Sequence, residues 1–217
     1  RFTFDNKEDM FDRHSYQKGG CILHILRKTV GDEAFFASLK LYLQTNAYRP
    51  VEVHNLRLAF EEVTGRDMNW FFNQWFLSKG HPVLTISYDW NENTHQASMT
   101  VKQEQDLSEE PLFTLPVAVD IYENGKARRE EIIVKKKEQT FVFNCSQRPD
   151  FINFDAEKML VCTKSDKHTR EEWRAMYKYA PLYQDRFEAL NAISKDYSDG
   201  TPEADLVYAA MKDKNWK

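Results

Sequence analysis

The sequence is poor in the residues that define small stapled or flexible proteins. Its three cysteines, Cys21, Cys145 and Cys162, are an odd number, lie far apart and form no CxxC pair. That spacing suggests neither a disulfide framework nor a cysteine zinc site, and Cys21, inside an apolar helical pattern, is expected to be a small core residue. Seven glycines and seven prolines in 217 residues exclude a collagen-like or linker-dominated chain. No stretch approaches the roughly 20 apolar residues that a membrane-spanning helix needs. Positive charge is not in excess either. Thirty-four acidic and 30 basic residues leave a formal charge of −4, with a mean hydropathy of −0.69, which argues against a nucleic-acid partner.

Catalytic signatures are also scarce. The six histidines, His14, His24, His54, His81, His95 and His168, include no two at helical i, i+3 or i+4 spacing. HExxH, which stacks two imidazoles on one helix face to hold zinc, is missing, so no metal ligand is assigned in this chain. GxSxG, a P-loop and GxGxxG are absent as well. The chain opens Arg1-Phe2-Thr3-Phe4 without an initiator Met or apolar leader, and it closes at Asn215-Trp216-Lys217 just after a helical pattern. The expectation is a piece of a longer, soluble protein, cytoplasmic or periplasmic.

Apolar residues make up 41% of the chain, enough for a sizeable core. Up to Gly80 their period is helical. Ile22, Ile25, Leu26 and Thr29 share one face, Gly31 stops that helix, and Asp32-Glu33 starts the next. The second helix is expected to turn Phe35, Phe36, Leu39 and Leu43 inward. A third carries Leu56, Ala59, Phe60 and Val63 and stops at Gly65. Asp67 then caps Met68–Leu77, which is aromatic on nearly every side and must be largely buried.

After Gly80-His81-Pro82 the period shortens to two. Val83–Trp90, then Ala97, Met99 and Val101, then Phe113 to Ile121 alternate as strands do, which half-buries one side of a sheet. Asn124-Gly125 favours a tight type I′ turn, so Ala118–Tyr122 and Arg128–Val134 are expected to pair as a hairpin. Phe141 with Phe143, and Ile152 with Phe154, continue the alternation. About seven short strands read as an all-β sandwich or similar. From Ser165 the pattern reads as helical again, with Thr169 or Asp166 as cap, Trp173, Met176 and Tyr177 inside, and a break at Tyr179-Ala180-Pro181. Further helices are expected around Phe187, Leu190 and Ile193, and from Leu206 to Ala210. The fold class is therefore multidomain α + β: a helical part over 1–80, a β-sandwich over 81–163, and the first helices of a helical-repeat domain over 164–217.

Polar groups cluster once before a buried helix, at Asp12, Arg13, His14, Tyr16 and Lys18. From the residues alone, Tyr16 reads as a packing aromatic with its hydroxyl in water, or as a phenol donating from a helix start into a cleft. His24 reads as a structural histidine, Tyr48 and His54 as parts of a helix–helix connection, and Lys135-Lys136-Lys137 as a solvated hairpin end.

The run His14-Ser15-Tyr16-Gln17-Lys18-Gly19-Gly20, followed by Gly31-Asp32-Glu33-Ala34-Phe35, resembles the YxKG and GDxxF stretch of M1-family zinc aminopeptidases. Phe60-Glu61-Glu62-Val63-Thr64-Gly65, Phe71-Phe72-Asn73-Gln74-Trp75 and Gly80-His81-Pro82 resemble the end of that family's catalytic domain. The four pieces keep the family's order and spacing. The resemblance implies a zinc-dependent peptidase that removes N-terminal residues from peptides. It places the zinc ligands, the general base and the substrate-anchoring motif upstream of Tyr16, in residues this sequence lacks. Tyr16 alone would carry over, as the hydroxyl that hydrogen-bonds the oxyanion of the tetrahedral intermediate. Lys18 would pair with a neighbouring carboxylate, in a structural rather than a catalytic role. By this reading the chain alone is inactive and zinc-free, and its partners are a peptide substrate and the missing N-terminal half. The alternative is a non-catalytic M1-like scaffold or protein-interaction module. A relative with an added small-molecule hydrolase activity is a third reading.

Overall fold

The computed structural model describes residues 5–195, 207, 208 and 210–212. A π-helical turn, His14–Lys18, leads directly into α1 (Gly19–Val30), followed by α2 (Asp32–Thr45), α3 (Val53–Thr64) and α4 (Asn69–Phe72). A second π turn, Asn73–Leu77, continues α4. The stop at Gly31 is in place, but the expected side-chain caps are not: α2 starts after Gly31 and α4 after Met68, neither with a side-chain cap bond. Gly31 ends α1, and Asp32 at the head of α2 takes a forked pair of bonds from Arg27, at 2.8 and 2.5 Å. Asp67 Oδ1 accepts from the Asn69 N–H at 2.8 Å. Glu61 of α3 accepts from the Met68 N–H at 3.0 Å and from Arg57 at 2.6 Å, so one carboxylate fixes the entry into α4.

Ile22, Ile25 and Leu26 of α1 are buried, as their spacing requires, with Phe60, Met68, Phe71, Phe72 and Trp75. Three expectations on the helices fail. Cys21 lies on the exposed face of α1, because it directly precedes the buried Ile22 and the helix turns it outward. Phe36 and Leu43 of α2 are 55% and 66% exposed. Only Phe35 and Ser38 of that helix are buried, so its apolar stripe is wider than the surface it covers. The Arg27 guanidinium lies over the Phe36 ring, 5.2 Å from its centroid.

Seven strands follow: β1 (Val83–Asn91), β2 (Gln96–Gln103), β3 (Leu115–Glu123), β4 (Lys126–Val134), β5 (Glu138–Asn144), β6 (Phe151–Phe154) and β7 (Thr163–Lys167). They form a four-stranded sheet, β5-β2-β1-β7, and a three-stranded sheet, β4-β3-β6. Inward residues of both sheets, among them Ile86, Met99, Val101, Val117, Val119 and Phe154, belong to one apolar cluster that also holds Phe60, Phe71 and Trp75. The expected hairpin is present, with Glu123 opposite Lys126 and Leu115 opposite Val134. Asn124 and Gly125 take the positive φ angles, 52° and 72°, that a type I′ turn demands.

Alternation predicted half-buried strands, yet β3 is buried on both faces. Its outer face carries Tyr122, which packs with Phe151 against Met176 of α5 (Arg170–Tyr179), Ala180 just after it and Ala189 of α6 (Tyr183–Ser194). Thr169, one of two candidate caps, accepts from the Glu172 N–H at 3.2 Å and completes a capping box with that residue. Asp166 sits instead in β7, which runs parallel to β1 through Lys167, so the stretch from Ser165 begins as strand rather than helix. The helix expected from Leu206 to Ala210 falls largely outside the described residues. No helix among the described residues is long and apolar enough to cross a membrane.

Candidate functional site

Tyr16 occupies the middle of the π turn that precedes α1. Three bonds shape that turn: Asp12 Oδ1 accepts from the Ser15 N–H at 3.1 Å, Asp12 O from the Tyr16 N–H at 3.3 Å, and Arg13 O from the Lys18 N–H at 2.9 Å. The last is the i→i+5 bond of a π helix, a geometry that inserts an extra residue and redirects the side chains it carries. The Tyr16 ring is 63% exposed and stacks on Phe11 with centroids 6.2 Å apart and planes 29° apart. No described residue hydrogen-bonds its hydroxyl. The burial of α1 through Ile22, Ile25 and Leu26 fixes the platform, and the π turn sets the phenol above it.

Among the described residues Lys18 reaches no carboxylate. Its Nζ donates to the Gly80 carbonyl at 2.7 Å, across 62 residues of sequence. This bond joins the first and last pieces of the motif series, the YxKG run and the Gly80-His81-Pro82 run. Gly80 has φ +83°, and a Cβ there would meet the end of the Glu110 side chain. The segment is held from its other side too: the His81 ring Nε2 and Thr163 Oγ1 are 3.0 Å apart, and the Thr163 N–H donates to Pro82 O at 3.0 Å. Gln74, from the Phe71–Trp75 motif, exchanges two bonds with Thr114, each 2.9 Å long, which ties the second π turn to the approach of β3.

The other singled-out residues do not join this site. His24, Tyr48 and His54 are exposed, and Lys135–Lys137 form an exposed turn between β4 and β5. A groove of about 480 Å³ lies between α1, α2 and the three-stranded sheet, lined by Arg27, Lys28, Arg66, Glu131 and Glu157, apart from Tyr16. Among the described residues no group of three or more His, Cys, Asp or Glu side chains is arranged to hold a metal ion.

A buried ionic cluster has no counterpart among the sequence-based expectations. Lys164 and Asp166 of β7, with His168 beyond it, point toward α5 and α6, where Glu172 meets His168 and Glu188 meets Lys164. The His168 side chain is fully buried, 3.2 Å from Asp166 and 3.3 Å from Glu172, and stacks on Tyr88 at 4.4 Å. Burial alone would lower the Lys164 ammonium, but Asp166 and Glu188 beside it hold it above the ordinary lysine value. The alternation Lys164, Asp166, His168 is the available signal, masked because the inward residues of this strand are charged.

Residues 3–75 match the family model described as "Peptidase family M1 domain". Aminopeptidase N of Escherichia coli is 25% identical over 161 residues, covering 68% of this chain and 18% of that protein. The alanine/arginine aminopeptidase of Saccharomyces cerevisiae is 26% identical over 226 aligned positions, covering 98% of this chain and 24% of that protein. Among solved structures, aminopeptidase A of Legionella pneumophila, crystallised in complex with aspartic acid, superposes with a TM-score of 0.81 at 18% identity, over 97% of this chain and 26% of that one. The chain thus spans about a quarter or less of the length of these proteins.

Proposed function

We propose that this chain, whose residues 3–75 match the peptidase family M1 model, is part of an aminopeptidase that hydrolyses the N-terminal residue of peptides. In this reading residues 1–80 complete a catalytic domain, 81–163 form a β-sandwich and 164–217 begin a helical domain. The apolar side chains left exposed on the helical part, Phe36, Leu43, Leu58 and Leu77 among them, support a packing partner there, assigned to the rest of the same protein.

The observation that carries the reading is Tyr16, a phenol held on an irregular turn with its hydroxyl open to an incoming group. Its role is to donate a hydrogen bond to the oxygen on which negative charge develops as the peptide carbonyl is attacked. A neutral, fixed donor stabilises that charge more than it stabilises the bound substrate, so it acts on kcat rather than on KM. The described side chains do not fit a zinc ion. By the family resemblance the metal is assigned to residues outside this sequence, and the role of Tyr16 stands on its own hydroxyl.

The test compares two proteins. The purified 217-residue chain, incubated with zinc and an aminoacyl-arylamide, is expected to release no arylamine. The longer protein that carries it is expected to release arylamine and to lose that activity to a chelator. Zinc-dependent turnover by the chain alone, surviving purification to homogeneity, would overturn the division of labour. A longer protein that folds but hydrolyses nothing would overturn the peptidase reading in favour of a scaffold.

A further inference from the structure

We propose that Lys18 is a positioning residue for Tyr16: by donating to the Gly80 carbonyl it locks the π turn that aims the phenol. The inference rests on the catalytic reading of Tyr16 and deepens it.

A π turn is a rare and loosely bonded form of helix, and an isolated one relaxes toward the α-helical alternative. This turn is retained at the head of a helix whose first turn has no side-chain cap. Lys18 supplies restraint twice. Its backbone N–H closes the turn on Arg13 O at 2.9 Å, and its ammonium fastens the same residue to Gly80 O at 2.7 Å. A cationic donor to a partly buried carbonyl makes one of the stronger kinds of hydrogen bond. The acceptor is itself fixed. Gly80 has φ +83°, a backbone conformation that L side chains rarely adopt, and its neighbours His81 and Pro82 are bonded to Thr163 at the start of β7. The tie therefore runs from the four-stranded sheet, through Gly80, to Lys18 at the end of the turn, two residues from Tyr16. Misplacing a catalytic group by about 1 Å can cost roughly 10²-fold in rate. That is the scale on which loss of the tie acts.

The experiment is a double-mutant cycle in the longer protein that carries this chain, with kcat, KM and backbone amide exchange read for each variant. Lys18→Met is expected to lower kcat about 10- to 100-fold with KM nearly unchanged, and to speed exchange of the amides of residues 14–18. Lys18→Arg, which keeps a single donor within reach of the carbonyl, is expected to restore most of both. In a Tyr16→Phe background, Lys18→Met is expected to cost little more, because the group it positions is already gone. Gly80→Ala, which displaces the acceptor, is expected to behave like Lys18→Met and serves should that variant fold poorly. The same fold-loss in both backgrounds, or an unchanged kcat in Lys18→Met beside a damaged Tyr16→Phe, would overturn the positioning role alone. An unchanged kcat in Tyr16→Phe would overturn the catalytic reading of Tyr16 and this inference with it.

Discussion

Lys158 Nζ lies 2.7 Å from Asp185 Oδ1, in an ion pair whose acidic side chain is fully buried. Asn153 Nδ2 donates to the same oxygen at 2.9 Å, and Glu188 stands 3.5 Å from the lysine. The pair fastens the first turn of α6 to the loop after β6. Removing one member of a buried pair strands the other, at a cost of about 3–5 kcal/mol. Asp185→Ala is expected near the low end, about 3 kcal/mol, because Lys158 keeps Glu188. Asp185→Asn, which still accepts from Lys158, should cost less. Urea denaturation checks both, and equal stability of Asp185→Ala and the parent would show that the pair does not hold α6.

The same cluster sets the acid limb of stability. Burial alone would raise the Glu188 carboxyl, but Lys164 and Lys158 outweigh it and hold it below its ordinary value of 4.5. Glu172 is likewise lowered against its burial, by His168 and the Thr169 N–H. A carboxylate with a lowered folded pKa contributes stability above its unfolded pKa, and that contribution is lost as pH falls through the folded value. Asp155 works the other way, because burial raises its carboxyl. The urea midpoint is therefore expected to fall below about pH 4.5. Glu188→Gln should be less stable than the parent at about pH 7 and converge with it as pH falls through the folded value of Glu188. Parallel curves would remove Glu188 from the acid response.

Gln74 carries a separate prediction. Its amide satisfies both backbone groups of Thr114, and the residue is 7% exposed. Gln74→Leu keeps the volume but leaves a part-buried N–H and C=O unpaired, at about 1–3 kcal/mol each. A loss of about 2–4 kcal/mol in urea denaturation is expected. A change under about 0.5 kcal/mol, the range of neutral surface substitutions, would mean that water replaces the amide fully.

Where the apolar period is clear, sequence and structure agree. Ile22, Ile25 and Leu26 point inward, Asn124-Gly125 turns the β3–β4 hairpin, and Thr169 caps α5. The failures share a cause. Strand β7 is hidden in the sequence because Lys164 and Asp166 face inward, neutralised by each other and by partners on other elements; Glu188 lies 24 residues beyond Lys164. Phe36 and Leu43 are expected inward because periodicity reports which face is apolar, not whether anything covers it. At the candidate site, Tyr16 is legible only through the motif series, and its π turn leaves no trace in composition. Lys18 is visible as a residue but not as a tie, since no local pattern announces a bond to a carbonyl 62 positions on.

The thiols give a direct check on packing. Cys21 is exposed, whereas burial raises the Cys145 thiol and pushes Cys162 up to about 12. Only the thiolate reacts, so at about pH 8 Cys162 is ionised in roughly one molecule in 10⁴. Native protein treated with an alkylating reagent is expected to label first at Cys21, with Cys145 and Cys162 following only on unfolding. Early labelling of Cys162 would contradict the closed contact of β7 with α6.

The most direct measurement is kcat for Tyr16→Phe in the longer protein that carries this chain. Loss of one preorganised oxyanion donor costs about 2.7–4 kcal/mol of barrier, roughly 10²–10³ in rate. The account predicts a fall of that size in kcat with KM little changed. A Tyr16→Phe enzyme that turns over at the parent rate would contradict it.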